Sequence, residues 1–303
     1  MDTTWDCIVV GGGAAGLSAA LVLGRARRST LVVDAGEQSN RPSEGIGGLL
    51  GHDHRPPADF YALGRNELAA YPSVEVRDGV VATARRDGEA FVLQLDGGAV
   101  ESARTVLLAT GTDYRLPDLP GVAERWGRAV FHCPFCHGWE HRDGKLGVLG
   151  ATALHRVPLL RMWSDDVTLL TDGAELEPED AERLATQGVE VDGRRVARID
   201  DPGATVVFDN GERRECTGLL VPVTLHQRSP LAAQLGAGFA EPGPVAAEAL
   251  AVDTQFRTTV PGLLAAGDAT TQMPSVASSV AAGHSAAAAV VSVLMSVSVS
   301  QPA

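Results

Sequence analysis

The stretch from Cys7 to Gly36 admits few folds. Cys7–Gly12 reads CIVVGG, a short apolar run that stops on glycine as a buried parallel strand does. AAGLSAALVLGRAR follows with helical spacing, and TLVVDAG, from Thr30 to Gly36, is a second buried run. Together they form a βαβ unit with its glycines at the first strand–helix turn. Gly11, Gly13 and Gly16, with Ala14 and Ala15 between the last two, satisfy G-x-G-x-x-G. The pattern has a physical reason at each position: Gly11 allows the tight turn, Gly13 lets the backbone approach a pyrophosphate, and Gly16 lets the helix pack on the strand. The helix N-terminus offers free N–H groups and its positive dipole end to phosphates. Asp34 ends the second strand, where an acid accepts ribose hydroxyls. A dinucleotide site is the expectation.

At 303 residues the chain is long enough for two cores. Residues 74–108 hold short β-rich runs broken by Asp-Gly and Gly-Gly, the signals of hairpins, and end in the buried strand TVLLATG. GTDYRLPDLPG (Gly111–Gly121) is punctuated by Pro and Gly as a crossing between domains is. A second α/β unit follows, with strands at KLGVLG (Lys145–Gly150) and DVTLLTD (Asp166–Asp172), a helix-like stretch between them, and an Asn-Gly hairpin in TVVFDNGERREC (Thr205–Cys216). PGLLAAGD (Pro261–Asp268) is an apolar strand leading to a long small-residue helix.

A net charge of −13 argues against a polyanionic partner such as nucleic acid. The basic run Arg25, Arg27, Arg28 sits where a helix ends and its dipole favours cations. MDTTWDCIVVGGG lacks the positive region and cleavage site of a secretory leader. SSVAAGHSAAAAVVSVLMSVSVS (Ser278–Ser300) is weakly apolar, rich in Ala and Ser and carries His284, which favours a buried helix over a membrane span. Four cysteines are too few for a disulfide scaffold and fit a reducing compartment, so a cytoplasmic location is expected.

The remaining landmark is HCPFCHGWE, His132 to Glu140, with Cys133 and Cys136 two residues apart. A zinc site needs four N/S ligands in tetrahedral array. Cys7 lies in the first strand, Cys216 in a hairpin, and no second C-x-x-C or H-x-x-x-H exists, so no metal is expected. A structural disulfide does not suit a cytosolic chain. A redox dithiol is left. A thiolate carries out disulfide exchange, and its pKa falls at a helix N-terminus or beside a cation. His137, adjacent to Cys136, can take and return a proton near neutral pH; His132 either assists or is structural.

In order and spacing, GGGAAG, LLATG (Leu107–Gly111), the C-x-x-C and LLAAGDAT (Leu263–Thr270) resemble the low-molecular-weight thioredoxin reductases over essentially the full chain. The resemblance implies an α/β fold of two Rossmann-like, three-layer domains of FAD/NAD(P) type, the second inserted into the first, with small antiparallel β elements. Residues 1–114 and 247–303 would form the FAD-binding domain, and 115–246 the inserted one. FAD is the implied cofactor. Its contacts would come from the first glycine turn, Asn40, Arg41, Ala109, Thr110, Gly111, Gly267 and Asp268, with the last helix beside the isoalloxazine. Val276 and Ala277 stand where members often carry Arg-Gln. A homodimer is also implied.

Reductases of this family have an acid after the cysteine pair; here it is His137. CPFCHGWE more closely resembles the dithiol oxidases that close disulfides in gliotoxin-, holomycin- and romidepsin-type natural products. The second glycine turn agrees with that resemblance. Counting from Gly150, Thr152 and His155 occupy the second and third glycine positions, and a side chain at Thr152 stands where a pyrophosphate would approach. Asp172 replaces the arginine cluster that would receive an NADPH 2′-phosphate. The expected reaction runs from a small-molecule dithiol through Cys133 and Cys136, the latter flavin-proximal, to FAD and on to O2. The alternatives are a thioredoxin reductase-like enzyme fed by NADH, ferredoxin or another donor, and a thiol-binding flavoprotein without turnover.

Overall fold

A computed structural model describes residues 4–299. Residues 1–3, where the N-terminal reading begins, and 300–303, of which the first ends the apolar C-terminal run, lie outside the described residues. The chain forms two compact units. The first comprises residues 1–39, 56–114 and 225–303; the second comprises 40–55 and 115–224.

The first unit is built on a parallel sheet. Strand Thr4–Val10 pairs with Thr30–Asp34 on one side and Val100–Leu108 on the other, and Leu263–Ala265 pairs with Val100–Leu108. All five residues of Thr30–Asp34 are buried, which explains an apolar run without alternation. Val81–Asp87 and Ala90–Leu95 extend the sheet as an antiparallel hairpin, as the Asp-Gly signal in this stretch indicated. One face is covered by the helix Ala14–Arg25, with Ala15, Ala19, Ala20 and Leu23 buried. That helix closes at Arg27, whose φ of 58° lets Arg28 N–H reach back to the Leu23 carbonyl at 3.0 Å.

The C-terminal helix Val276–Val299 is long and apolar enough to cross a membrane by length and composition. Its Ala286, Ala287 and Val290 are fully buried in the same cluster as Leu23 and Val32, as in a core helix.

The second unit carries a five-stranded sheet in the order Glu190–Asp192, Val167–Leu170, Leu146–Leu149, Gly218–Leu220, Val130–Phe131, all parallel. The Asn-Gly hairpin is present: Thr205–Phe208 pairs antiparallel with Arg213–Arg214 around Asn210 and Gly211. The units divide differently from the sequence boundaries at two places. Residues 225–246 group with the first unit, because Ala84 N–H donates to Gln234 Oε1 at 2.9 Å and Leu231, Ala232 and Ala237 enter the core containing Ile8 and Val10. Residues 40–55 group with the second unit, where they brace the cysteine motif.

Candidate active site

In the first unit the sheet register brings the cofactor motifs to one edge. Val10 pairs with Val33 and with Leu108, and Leu108 pairs with Ala265. The glycine turn, Asp34, the Ala109–Gly111 stretch and Gly267–Asp268 therefore all leave the carboxyl ends of adjacent parallel strands, where ligands of open α/β sheets bind. Gly11 has φ of 108°, and a Cβ there would run into the Ala109 carbonyl. At Gly13 a Cβ would meet only Gln38 Cγ, at 3.8 Å, so the space before the helix is open to a ligand. Gly16 packs against the Gly11 carbonyl, as helix–strand contact requires.

Asp34 is engaged by donors of the protein itself. Its Oδ1 accepts from Gly12 N–H and Gly36 N–H, both at 3.0 Å, and its Oδ2 accepts from Arg65 Nη2 at 2.7 Å. Gln38 Nε2 adds a longer contact to both oxygens. The carboxylate is thus filled by protein donors and organises the turn; the motif omits Gly12, yet a Cβ there would strike Asp34 itself. Asp268 accepts from Ser279 Oγ at 2.9 Å, and burial raises its pKa against the opposing influence of Ser279, Arg228 and Tyr114. Asn40 and Arg41 open the segment that groups with the second unit.

In the second unit the strand Val130–Phe131 delivers HCPFCHGWE at the carboxyl edge of its sheet. Cys133 N-caps the short helix Pro134–His137, with Pro134 at its first position. Neither cysteine is in a disulfide, so the pair is in its dithiol form. The Cys133 pKa is lowered, chiefly by the hydrogen bond from the Cys136 thiol, then by the backbone N–H groups of Cys136 and Phe135 and the charge of Arg156, with burial opposing. The other two cysteines contrast: burial pushes Cys7 up to about 12 and Cys216 up to about 11, so neither is a thiolate. Among the described residues, no group of three or more His, Cys, Asp and Glu side chains is placed to hold a metal.

His137 stacks on Phe131, ring centroids 5.6 Å apart and planes 12° apart. Its Nε2 lies 3.2 Å from the Gly127 carbonyl and 3.3 Å from Ser43 Oγ. A carbonyl only accepts, so Nε2 carries the proton and Nδ1 holds the lone pair; Nδ1 is buried without a hydrogen-bond partner. Burial lowers the His137 pKa, outweighing the Gly127 and Cys133 backbone and the Glu140 charge. The ring is therefore held in its neutral form. His132 stacks on Trp126 at 5.6 Å, and burial, then His137 and Arg156, push its pKa down to about 4. It is neutral at pH 7, which suits a packed ring better than a proton shuttle.

Sequence reasoning missed the braces around this motif. Ser43 holds His137, and the Gly47 backbone passes the Cys136 carbonyl so closely that a Cβ would sit 2.7 Å from it. His54 Nδ1 lies 3.4 Å from Glu140 Oε1. Only the glycine-rich composition of residues 45–51 hinted at a close approach. Arg156 was missed for a different reason: it lies on the turn read as a damaged nucleotide site.

That turn does not open directly into a long helix. After Gly150, with φ of 90°, the chain forms a 3₁₀ turn over Ala151–Arg156 and then only Val157–Leu160, with Pro158 inside. His155 Nδ1 contacts the Thr152 carbonyl at 3.2 Å. Asp172 Oδ1 accepts from Val196 N–H at 2.8 Å.

Residues 5–285 match the family model described as pyridine nucleotide-disulphide oxidoreductase. The protein described as thioredoxin reductase tcpT of Claviceps purpurea is 31% identical over 296 residues, 92% of this chain and 91% of that one. The crystal structure of an oxidoreductase from Agrobacterium tumefaciens superposes with a TM-score of 0.91 at 36% identity, covering 99% of this chain and 100% of its own. The crystal structure of HlmI gives the same TM-score and identity, covering 99% and 96%. These matches agree with the thioredoxin reductase-like architecture: the chain belongs to the pyridine nucleotide-disulphide oxidoreductase family, and FAD is its cofactor.

Proposed function

We propose that the protein is an FAD-dependent dithiol oxidase that forms an intramolecular disulfide in a small-molecule dithiol, with O2 as acceptor and H2O2 as product. The observation that carries this reading is the contrast between a complete sulfur centre and a second nucleotide turn without its helix or its glycines. A nicotinamide-fed reductase needs that second turn; a dithiol oxidase does not. The motif resemblance of CPFCHGWE supports the same direction of electron flow.

The steps follow from the residues. A substrate thiolate attacks Cys133 of the oxidised pair, the Cys133–Cys136 bond breaks, and Cys136 leaves with the electron pair. The second substrate thiolate then attacks the substrate sulfur, the product disulfide forms, and Cys133 leaves as thiolate. A low leaving-group pKa speeds that departure, which the environment of Cys133 provides. His137, neutral and held in place by Gly127 and Ser43, is the proposed proton acceptor for the incoming thiols. Bound FAD supplies acceptance of the electron pair and its delivery to O2. Gly11, Gly13, Ala14, Ala15, Gly16, Asp34, Asn40, Arg41, Ala109, Thr110, Gly111, Gly267 and Asp268 form the proposed cofactor set, Asp34 by holding the turn. The cytoplasm and a homodimer are the proposed setting.

The yellow, purified protein should consume O2 and release H2O2 with a small dithiol when no nicotinamide is present. No O2 uptake across a panel of aliphatic and heterocyclic dithiols would sink the reading. The description of the Claviceps relative as a thioredoxin reductase favours a second reading, reduction of thioredoxin with NADH, ferredoxin or another donor. Rapid anaerobic bleaching of the flavin by NAD(P)H, followed by thioredoxin reduction, would establish it instead.

A further inference from the structure

We propose that Arg156 is the cation that holds Cys133 as a thiolate, so that the remnant of the second glycine turn now serves the sulfur chemistry. The sheet provides the juxtaposition. Leu219 pairs with Val130 and Gly147, and Leu220 with Phe131 and Val148, so Phe131 and Leu149 end on one edge with a single strand between them. The cysteine motif leaves that edge after Phe131, and the 3₁₀ turn leaves it after Gly150.

In a 3₁₀ helix, side chains three apart eclipse one another. Ala153 is buried at 2% exposure, and Arg156 shares its face, so the guanidinium is drawn inward and half-buried. There it lies within electrostatic range of both Cys133 and His132. Arg156 has no carboxylate partner and no hydrogen bond among the described residues. In the same unit Arg214 pairs with Glu190 and Asp192, and Arg194 with Asp192 and Glu212. A half-buried cation without a carboxylate is costly unless an anion forms beside it. The Cys133 sulfur is that anion, and only in the reduced or leaving state.

The other groups facing Cys133 do not supply a cation. Cys136 donates its thiol, His137 and His132 are neutral at pH 7, and Glu140 and His141 act on His137. Arg156 thus favours Cys133 leaving as the product disulfide closes. It also favours the dithiol over the disulfide form of the pair, which makes the pair a stronger oxidant. The inference rests on the redox reading of the cysteines but not on O2 as acceptor.

The test is carbamidomethylation of Cys133 in the anaerobic, pre-reduced holoenzyme, followed by peptide mass spectrometry from pH 5 to 10. Wild type should react with a midpoint below that of a free thiol. R156Q should shift the midpoint upward and slow alkylation at pH 7 on the order of tenfold, while R156K restores the wild-type profile. The glutathione equilibrium should move about tenfold toward the disulfide in R156Q, about 30 mV. An R156Q profile identical to wild type overturns the role of Arg156 alone. A profile displaced equally in R156K marks packing rather than charge and also overturns it. A wild-type Cys133 that reacts like a free thiol removes the redox centre itself, and the proposed function with it.

Discussion

The two strand–turn–helix crossings that open after Val10 and after Leu149 start from the same plan and end differently. After Gly11 the chain enters a twelve-residue helix whose first turn faces open space. After Gly150 it enters a 3₁₀ turn and a four-residue helix with proline in its first turn. A pyrophosphate is held by several aligned N–H groups backed by a helix dipole; the first crossing presents a helix of that kind and the second presents a 3₁₀ turn instead. What the second crossing retains is strand position, and strand position delivers Arg156 toward the cysteines. A parallel sheet preserves the places to which its loops project even when one loop changes its chemistry.

The largest effect expected is at Gly11. Gly11→Val meets the Ala109 carbonyl and a φ of 108°, so the variant should purify with its 450 nm flavin absorbance essentially absent. The matched Gly150→Ala has φ of 90° but only Thr152 Oγ, at 3.9 Å, in its way. It should keep full flavin content and lose about 1 kcal/mol in denaturant titration. Equal flavin loss in both would break the comparison.

Next in size is His137→Gln, which should lower dithiol turnover by about 10²–10⁴-fold while leaving the flavin spectrum in place. Because burial depresses the His137 pKa, the base form persists to lower pH than an ordinary histidine's. The wild-type rate should therefore hold on going down from pH 7 and fall only below the usual histidine range. A rate that already falls near pH 6.5 because of His137 would contradict its burial.

His132 should appear in stability rather than in rate. Its folded pKa of about 4 lies below the ordinary 6.5, so the unfolded chain binds the proton first as pH falls. Stability is complete above pH 6.5 and is lost as pH falls toward 4, on the order of 3 kcal/mol. His132→Phe, which keeps the stack on Trp126, should flatten that slope in urea melts.

The smallest effect is at the brace of the first turn. Arg65 bridges Asp34 and Asp78 from a partly exposed position, so Arg65→Met should cost about 1 kcal/mol and weaken FAD retention by several-fold at most.

The legible parts of this molecule were contiguous ones. Gly11–Gly16 and Cys133–His137 each carry their chemistry within a few residues, so spacing alone exposes them. Leu107–Gly111 and Leu263–Asp268 were recognisable through their order along the chain. Asp34 was found but given an incomplete role, because its saturation depends on Arg65, Gln38 and the Gly36 turn, which no local pattern announces. Ser43 and Gly47 reach the cysteine motif through tertiary folding of a loop that reads only as glycine-rich. Arg156 was hidden by the logic of the motif itself: a turn judged as a failed phosphate site offers no reason to look for a cation serving sulfur.

The central claim is that electrons enter from a dithiol and that the second crossing no longer admits a nicotinamide. Anaerobic stopped-flow mixing of the FAD-loaded protein with a small dithiol, and separately with NADPH and NADH, measures both halves at 450 nm. The account predicts rapid bleaching by the dithiol, recovery on admitting O2, and no bleaching by either nicotinamide on the same timescale. Rapid bleaching by NADPH or NADH with an inert dithiol would contradict it.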